Sequence, residues 1–287
     1  MKVTSPTIAT PFAQVVELVD TQVSKTCVRK NVPVRPRPWV QPPNRTSFLM
    51  DIISALALAI APGLAISLYI YWADKFDPEP RHLLFKSFFL GALATGPAIL
   101  LETWLIDGNE TLEAIPLAVK AFVFIALVEE GCKFAATYFF AYKNPEFDEP
   151  FDGITYAVMV SMGFATVENI IYVFQHGLGV GFLRMFTAIP AHAFFGIIQG
   201  YFMGMAKFRH SGSWLLWVGL LLATLLHGAY DFSLLKSDEP ILIFGAIASL
   251  ALGYRFAQQA IVLHQHISPF KDGKGESKPE DEELPPF

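Results

Sequence analysis

Charge is scarce in this sequence, and so is cysteine. Of 287 residues only 16% are charged, against about 25% in ordinary soluble domains. The net charge of −5 is too weak to point to a partner by itself. Two cysteines, Cys27 and Cys132, exclude a disulfide framework. Cys132 lies in an apolar run, so a bridge between the two is not expected. What is present instead is apolar bulk: 53% hydrophobic residues, 26 phenylalanines and a mean hydropathy of +0.42. A soluble fold of this size has too little interior to hide that much apolar surface. The composition therefore argues against a soluble enzyme, a nucleic-acid binder and a disordered chain.

Long apolar stretches recur from Ile52 onward, and a spanning helix needs about 20 mostly apolar residues. Seven spans are expected, at 52–72, 84–106, 117–141, 153–174, 185–206, 213–235 and 241–262. Breakers or charges fill the gaps, as in Asp77-Pro78-Glu79-Pro80 and Asn144-Pro145. Backbone polar groups in lipid must be satisfied internally, and these runs are too long for barrel strands. The expected fold is an all-α polytopic membrane helix bundle of about seven transmembrane helices.

Basic residues set the expected orientation. Lys75, Arg81, Lys86, Lys143, Lys207, Arg209, Arg255, Lys271, Lys274 and Lys278 fall on one side of the spans, and only Lys120, Arg184 and Lys236 on the other. The positive-inside rule puts the first span's N-terminus outside and the C-terminus in the cytoplasm. Residues 1–49 conflict with this, because Lys2, Lys25, Arg29, Lys30, Arg35, Arg37 and Arg45 should hold them inside. Two readings stay open. The segment is a basic disordered tail, or it is not translated and the chain starts at Met50. The strings Val15-Val16-Glu17-Leu18-Val19-Asp20-Thr21 and Val32-Pro33-Val34-Arg35 resemble a leucine transfer-RNA gene read as protein. Residues 50–265 form the membrane domain, and 266–287 read as an acidic, solvated cytoplasmic tail.

Ionisable groups inside spans cost about 2.5–3.5 kcal/mol each on insertion scales, so each needs a reason. The third span holds Glu129, Glu130 and Lys133, the fourth Glu168, the fifth His192, and the sixth His227 and Asp231. The other spans contribute little. On a helix, Lys133 can reach Glu129 at i,i+4 and Glu130 at i,i+3, and Asp231 can reach His227 at i,i+4. With a rise of about 1.5 Å per residue, Glu129 lies roughly 18 Å below the outer end of its span, Glu168 and His192 roughly 9–10 Å, and His227 roughly 12 Å. The polar groups thus converge in the outer half of the bilayer. Gly131, Gly163, Gly196, Gly200, Gly204 and Gly228 would let the helices approach closely, and Asn169 and Thr187 could add hydrogen bonds. A packing network would explain one Glu–Lys pair, but this set is larger than packing requires. A proton path uses the same residue types, yet paired broken helices and an inverted repeat are not evident. Pro190 is expected to interrupt the fifth span beside His192. Arg184 reads as an interfacial anchor, and His176, His210, His264 and His266 as loop or tail residues.

Three motifs follow in order on successive spans. Glu129-Glu130-Gly131-Cys132-Lys133 fits EExxK, Phe164-Ala165-Thr166-Val167-Glu168 fits FxxxE, and His227-Gly228-Ala229-Tyr230-Asp231 fits HxxxD. With the segment 77–81 after the first span and the block 184–192, the ordered set resembles the PrsW family of bacterial intramembrane proteases. The resemblance covers roughly residues 50–265. It implies an intramembrane endopeptidase in the bacterial plasma membrane that makes the first, extracytoplasmic-side cut in a single-span membrane protein such as an anti-sigma factor. The family is related distantly to the CAAX-prenyl endopeptidases and to a scaffold subunit of gamma-secretase, which supply the alternative functions. The CAAX enzymes carry EExxxR, FxxxH and HxxxN in these places. Glu168 therefore stands where they have histidine, and Asp231 where they have an amide.

A Ser–His or Cys–His nucleophile is not evident, Ser161 has no nameable partner, and the absence of HExxH disfavours the usual zincin arrangement. Two mechanisms remain. In one, Glu129 or Glu130 is general base on water, a histidine polarises the carbonyl, and Lys133 tunes the carboxylates. In the other, Glu168, His192 and His227, with or without Asp231, hold a zinc ion. The metal-free route is the reading adopted here, with Glu129, Glu130, Glu168, His192 and His227 as catalytic candidates and Lys133 and Asp231 in support.

Overall fold

The computed structural model describes residues 45–106, 113–208, 212–236 and 239–271. The basic segment up to residue 44 and the tail beyond 271 lie outside the described residues. The chain forms helices α1 (Arg45–Ala73), α2 (Arg81–Leu105), a helical run at 114–142 called α3, α4 (Pro150–His176), α5 (Leu178–Phe186), α6 (Ala188–Phe208), α7 (Trp214–Leu235) and α8 (Ile243–His266). Among the described residues there is no strand.

Six helical stretches are long and apolar enough to cross a membrane: Ile52–Ala73, Arg81–Leu105, Pro150–His176, Leu178–Phe208, Trp214–Leu235 and Ile243–His266. The expected third span is helical but not uniform. It runs as α over Ala114–Val119, π over Lys120–Ala126, α over Leu127–Thr137 and π again over Tyr138–Tyr142. Each π segment changes the helix's rotational register, a departure often found at functional sites. The chain is thus an all-α polytopic membrane bundle.

Two boundaries differ from expectation. The interruption expected at Pro190 in the fifth span falls at Thr187 instead. The chain breaks at Thr187, and α6 begins at Ala188, so Pro190 occupies its first turn. There a missing N–H breaks no helical hydrogen bond. The last helix reaches His266, which places His264 inside it, buried and stacked on the Tyr201 ring at 4.5 Å. His176 likewise ends α4, next to the Tyr172 ring.

The centre of the bundle is α4, buried continuously from Pro150 to Thr166. It packs against α2 on one side and α6 on the other. Small residues set both distances. A Cβ at Gly163 would overlap the Phe88 carbonyl of α2, and one at Gly91 would overlap the Val160 carbonyl of α4. Gly153 and Gly200 face each other in the same way where α4 crosses α6. Apolar bulk points outward instead: Phe85, Phe89, Leu93, Leu100 and Trp104 on α2, and Trp214, Trp217 and Leu221 on α7, are exposed. Apolar outside and polar inside is the distribution that lipid as solvent favours.

The turn between α1 and α2 makes a second polar knot at the opposite end of α2 from Glu102. Asp74, Glu79 and Glu149 are buried. Glu79 accepts a hydrogen bond from Tyr156, Glu149 from Ser268, and Asp74 from the Glu79 backbone. Asp152 caps α4 by accepting from the backbone N–H groups of Asp148 and Glu149, each at 2.7 Å. Among the described residues no lysine, arginine or histidine pairs with these carboxylates. Burial pushes the Asp74 and Glu149 carboxyls up to about 7 and that of Glu79 up to about 8.

Two outcomes follow for stability. Gly163→Ala should lower the thermal midpoint in detergent, a loss of about 1–3 kcal/mol from overpacking. Gly131→Ala should leave it unchanged or raise it, because a Cβ there meets nothing within 4 Å and a helical glycine gives way to alanine. The knot also gives a pH dependence. The folded chain holds these protons more tightly than the unfolded chain, so stability is full near the unfolded carboxyl value of about 4 and falls as pH rises through about 8. Glu79→Gln should flatten that fall, measured as thermal midpoints across the range.

Candidate active site

The EExxK spacing works as helical geometry requires. Leu127–Thr137 is α-helical, so Glu129, Glu130 and Lys133 share one face, and that face turns into the bundle. All three are buried. The Lys133 ammonium lies 3.1 Å from Glu129 Oε2, 2.8 Å from Glu130 Oε1 and 3.0 Å from His192 Nδ1. Its three N–H donors meet three acceptors. The ring of Phe164 covers it at 4.2 Å.

The two glutamates differ in what surrounds them. Glu130 is sealed: Oε1 receives Lys133 and also His227 Nδ1 at 2.9 Å, and Oε2 receives the Gln199 amide at 2.7 Å. Gln199 donates to the Glu130 backbone carbonyl as well, at 3.2 Å. Glu129 accepts one bond, from Lys133, and lines a cavity of about 110 Å³. Thr95, Ile99, Glu102, Phe164, Glu168, Arg184, His192, His227, Tyr230 and Asp231 line the same space. It runs between α2, α3, α4, α6 and α7 toward the ends of α2 and α7, where Ile106 and Leu235 stand.

His192, on the second turn of α6, is held from both ring nitrogens. Lys133 donates to Nδ1, so Nε2 carries the hydrogen and donates to Glu168 Oε2 at 2.8 Å. Its carbonyl accepts from Ser161 Oγ at 2.6 Å, which gives that serine a structural partner. His227, stacked on Phe195 at 4.9 Å, has a carboxylate at each end: Glu130 through Nδ1 and Asp231 through Nε2 at 3.4 Å. The two imidazoles stand 5.4 Å apart.

Arg184 is not an interfacial anchor. It is buried, pairs with Glu168 Oε2 at 3.1 Å, donates to Asn169 Oδ1 at 3.0 Å and lies 3.9 Å from the Tyr172 ring centre. Asn169 in turn donates to the Ala59 carbonyl of α1 at 3.2 Å. Glu168 thus sits between a guanidinium and an imidazole, where a carboxylate is well served. Cys132 stands apart from these contacts, half-buried and free.

The structure brings all seven sequence candidates into one connected cluster, but not in the expected zinc grouping. The four residues whose ligand atoms lie within 4.8 Å of one another are Glu129, Glu130, His192 and His227; Glu168 is outside that group, engaged by Arg184 and His192. Two carboxylates and two imidazoles suit a zinc-like ion in type and number. The ammonium of Lys133 contacts three of the same four residues, Glu129, Glu130 and His192.

Sequence reasoning passed over Glu102, Gln199 and the inward role of Arg184. A polar residue in an apolar span was the available signal for the first two. For Arg184 there was none, since a cation near a span end ordinarily snorkels outward.

Residues 79–257 match the family described as PrsW family intramembrane metalloprotease. Protease PrsW of Geobacillus kaustophilus is 38% identical over 189 residues, which is 66% of this chain and 83% of that protein. Protease PrsW of Bacillus subtilis is 36% identical over 188 residues, 65% of this chain and 84% of that protein. Protease PrsW of Halalkalibacterium halodurans is 36% identical over 217 residues, 75% of this chain and 99% of that protein. No solved structure matches the chain. The matched region contains the Glu–Glu–Lys face, both paired histidines and every wall of the cavity, and this multi-pass peptidase belongs to the PrsW family of intramembrane metalloproteases.

Proposed function

We propose that the protein cuts a single-span membrane protein, such as an anti-sigma factor, near the extracytoplasmic face of the bacterial plasma membrane, with Glu129 activating the attacking water. One observation carries this reading. Of two adjacent buried glutamates, Glu129 faces the cavity and Glu130 is sealed behind it. The cavity lining reaches Ile106 and Leu235 at the ends of α2 and α7, the side on which lysine and arginine are scarce, and this supports an extracytoplasmic cut.

In this scheme Glu129 takes a proton from water as the oxygen attacks the scissile carbonyl carbon. As the imidazolium, with Glu130 on Nδ1 and Asp231 on Nε2, His227 presents the less tightly engaged Nε2–H edge to the cavity and donates it to the developing oxyanion. The C–N bond then breaks, and the proton held by Glu129 passes to the leaving amine. Lys133 and Gln199 hold the two glutamates in place, and His192 links Lys133 to the Glu168–Arg184 pair. Glu129, Glu130, His192 and His227 are the residues that would hold a metal. Such an ion, when bound, lowers the pKa of its water to near 7.

Purified full chain, assayed in detergent on single-span substrates, tests the scheme. Glu129→Gln should lower kcat at least about a hundredfold, in the range set by loss of a general base, with membrane abundance unchanged. Full cleavage by that variant removes Glu129 from the reaction. A strong chelator with zinc add-back separates the two routes: loss and rescue assign the cage to an ion, and indifference assigns water activation to Glu129 alone.

A further inference from the structure

Glu102 lies on α2, one turn before its end, and shares a helix face with Thr95, Ile99 and Ile106. All four line the cavity. Every other carboxylate on the cavity wall has a partner: Glu129 has Lys133, Glu168 has Arg184 and His192, and Asp231 has His227. The Glu102 carboxylate forms neither a hydrogen bond nor an ion pair with the described residues; only its backbone carbonyl is engaged, by the Ile106 N–H at 2.8 Å. Arg184 is the lone lysine or arginine among the described lining residues, and its guanidinium is already engaged by Glu168, Asn169 and Tyr172.

A carboxylate inside a span costs about 2.5–3.5 kcal/mol to insert, and none of the described residues pairs with Glu102 to offset it. It does not hold α2 in the bundle; Gly91 and Gly163 do that. Its carboxylate is therefore a free acceptor on the wall of a cavity with a surplus of acids, one turn from the end of α2. A cationic side chain entering with the substrate finds that acceptor unengaged, where Glu129, Glu168 and Asp231 already have partners.

We infer that Glu102 is a specificity-determining residue that binds a lysine or arginine side chain of the substrate flanking the scissile bond. The inference rests on the proteolytic reading of the cavity. A low-dielectric wall strengthens such a pair once water is displaced, and truncating one partner of a desolvated charge pair is felt mainly as faster release.

The test uses the full chain in detergent and single-span substrates that differ only in carrying Lys, Arg, Gln or Glu at positions flanking the mapped cut. Wild type should show a kcat/KM about tenfold or more higher for the cationic series, the scale of a hydrogen bond to a charged group. Glu102→Gln should erase that ratio, and Glu102→Lys should invert it toward the Glu series. A ratio unchanged by Glu102→Gln overturns the inference and leaves the protease reading intact. Equal loss on all substrates also overturns it, because Glu102 then belongs to the reaction centre or to a cation site of its own. Should wild type cleave none of them, the protease reading is what fails. Binding of the same labelled substrates to Glu129→Gln, followed by fluorescence anisotropy with and without Glu102→Gln, still decides the inference. Tighter binding of the Lys series that Glu102→Gln removes supports it, and equal binding of all series overturns it.

Discussion

The ammonium of Lys133 is the contact on which the interior depends. It gathers Glu129, Glu130 and His192 around one positive charge in a region where each of these groups alone would be expensive to keep. Through Glu130 it reaches His227 and Gln199, and through His192 it reaches Glu168 and Arg184. Five helices, α3 to α7, are tied together by this chain of charge-assisted bonds. In a membrane, where apolar packing against lipid tails gives no net drive for helices to associate, such bonds and close backbone contact do that work.

The same network sorts two chemically identical side chains into different tasks. Glu129 and Glu130 are neighbours in sequence, but a helix turns about 100° between them. One therefore faces the cavity and the other the Gln199 amide. The cost of a saturated Glu130 is that it cannot readily exchange protons with water. The gain is a rigid wall against which Glu129, with a single bond to Lys133, keeps freedom to do so. The cage of two carboxylates and two imidazoles is compact enough for an ion, and the lysine holds that cage together by standing in it.

Close backbone approach is the other half of the design. Gly163 against Phe88 and Gly153 against Gly200 bring α2 and α6 onto α4, so that Glu102, Glu168 and His192 come to one space from three helices. The break at Thr187 matters in the same way. It separates α5 from α6, and from α5 Arg184 reaches inward to Glu168.

Much of this was legible in the sequence. Run length and scarcity of charge determined a helical membrane bundle, because lipid leaves the backbone no other way to satisfy its polar groups. The i,i+3 and i,i+4 spacings determined that Lys133 meets both glutamates and that His227 meets Asp231, because all three pairs lie within single helices of fixed pitch. The partners across helices were decided by tertiary structure alone: His192 with Glu168, His227 with Glu130, Gln199 with Glu130, Arg184 with Asn169. Spans that are apolar on every side carry no amphipathic stripe to report their rotation. Which face turns inward depends on where glycines admit a neighbour and where the π segments of α3 shift the register, and both are settled only when the helices pack.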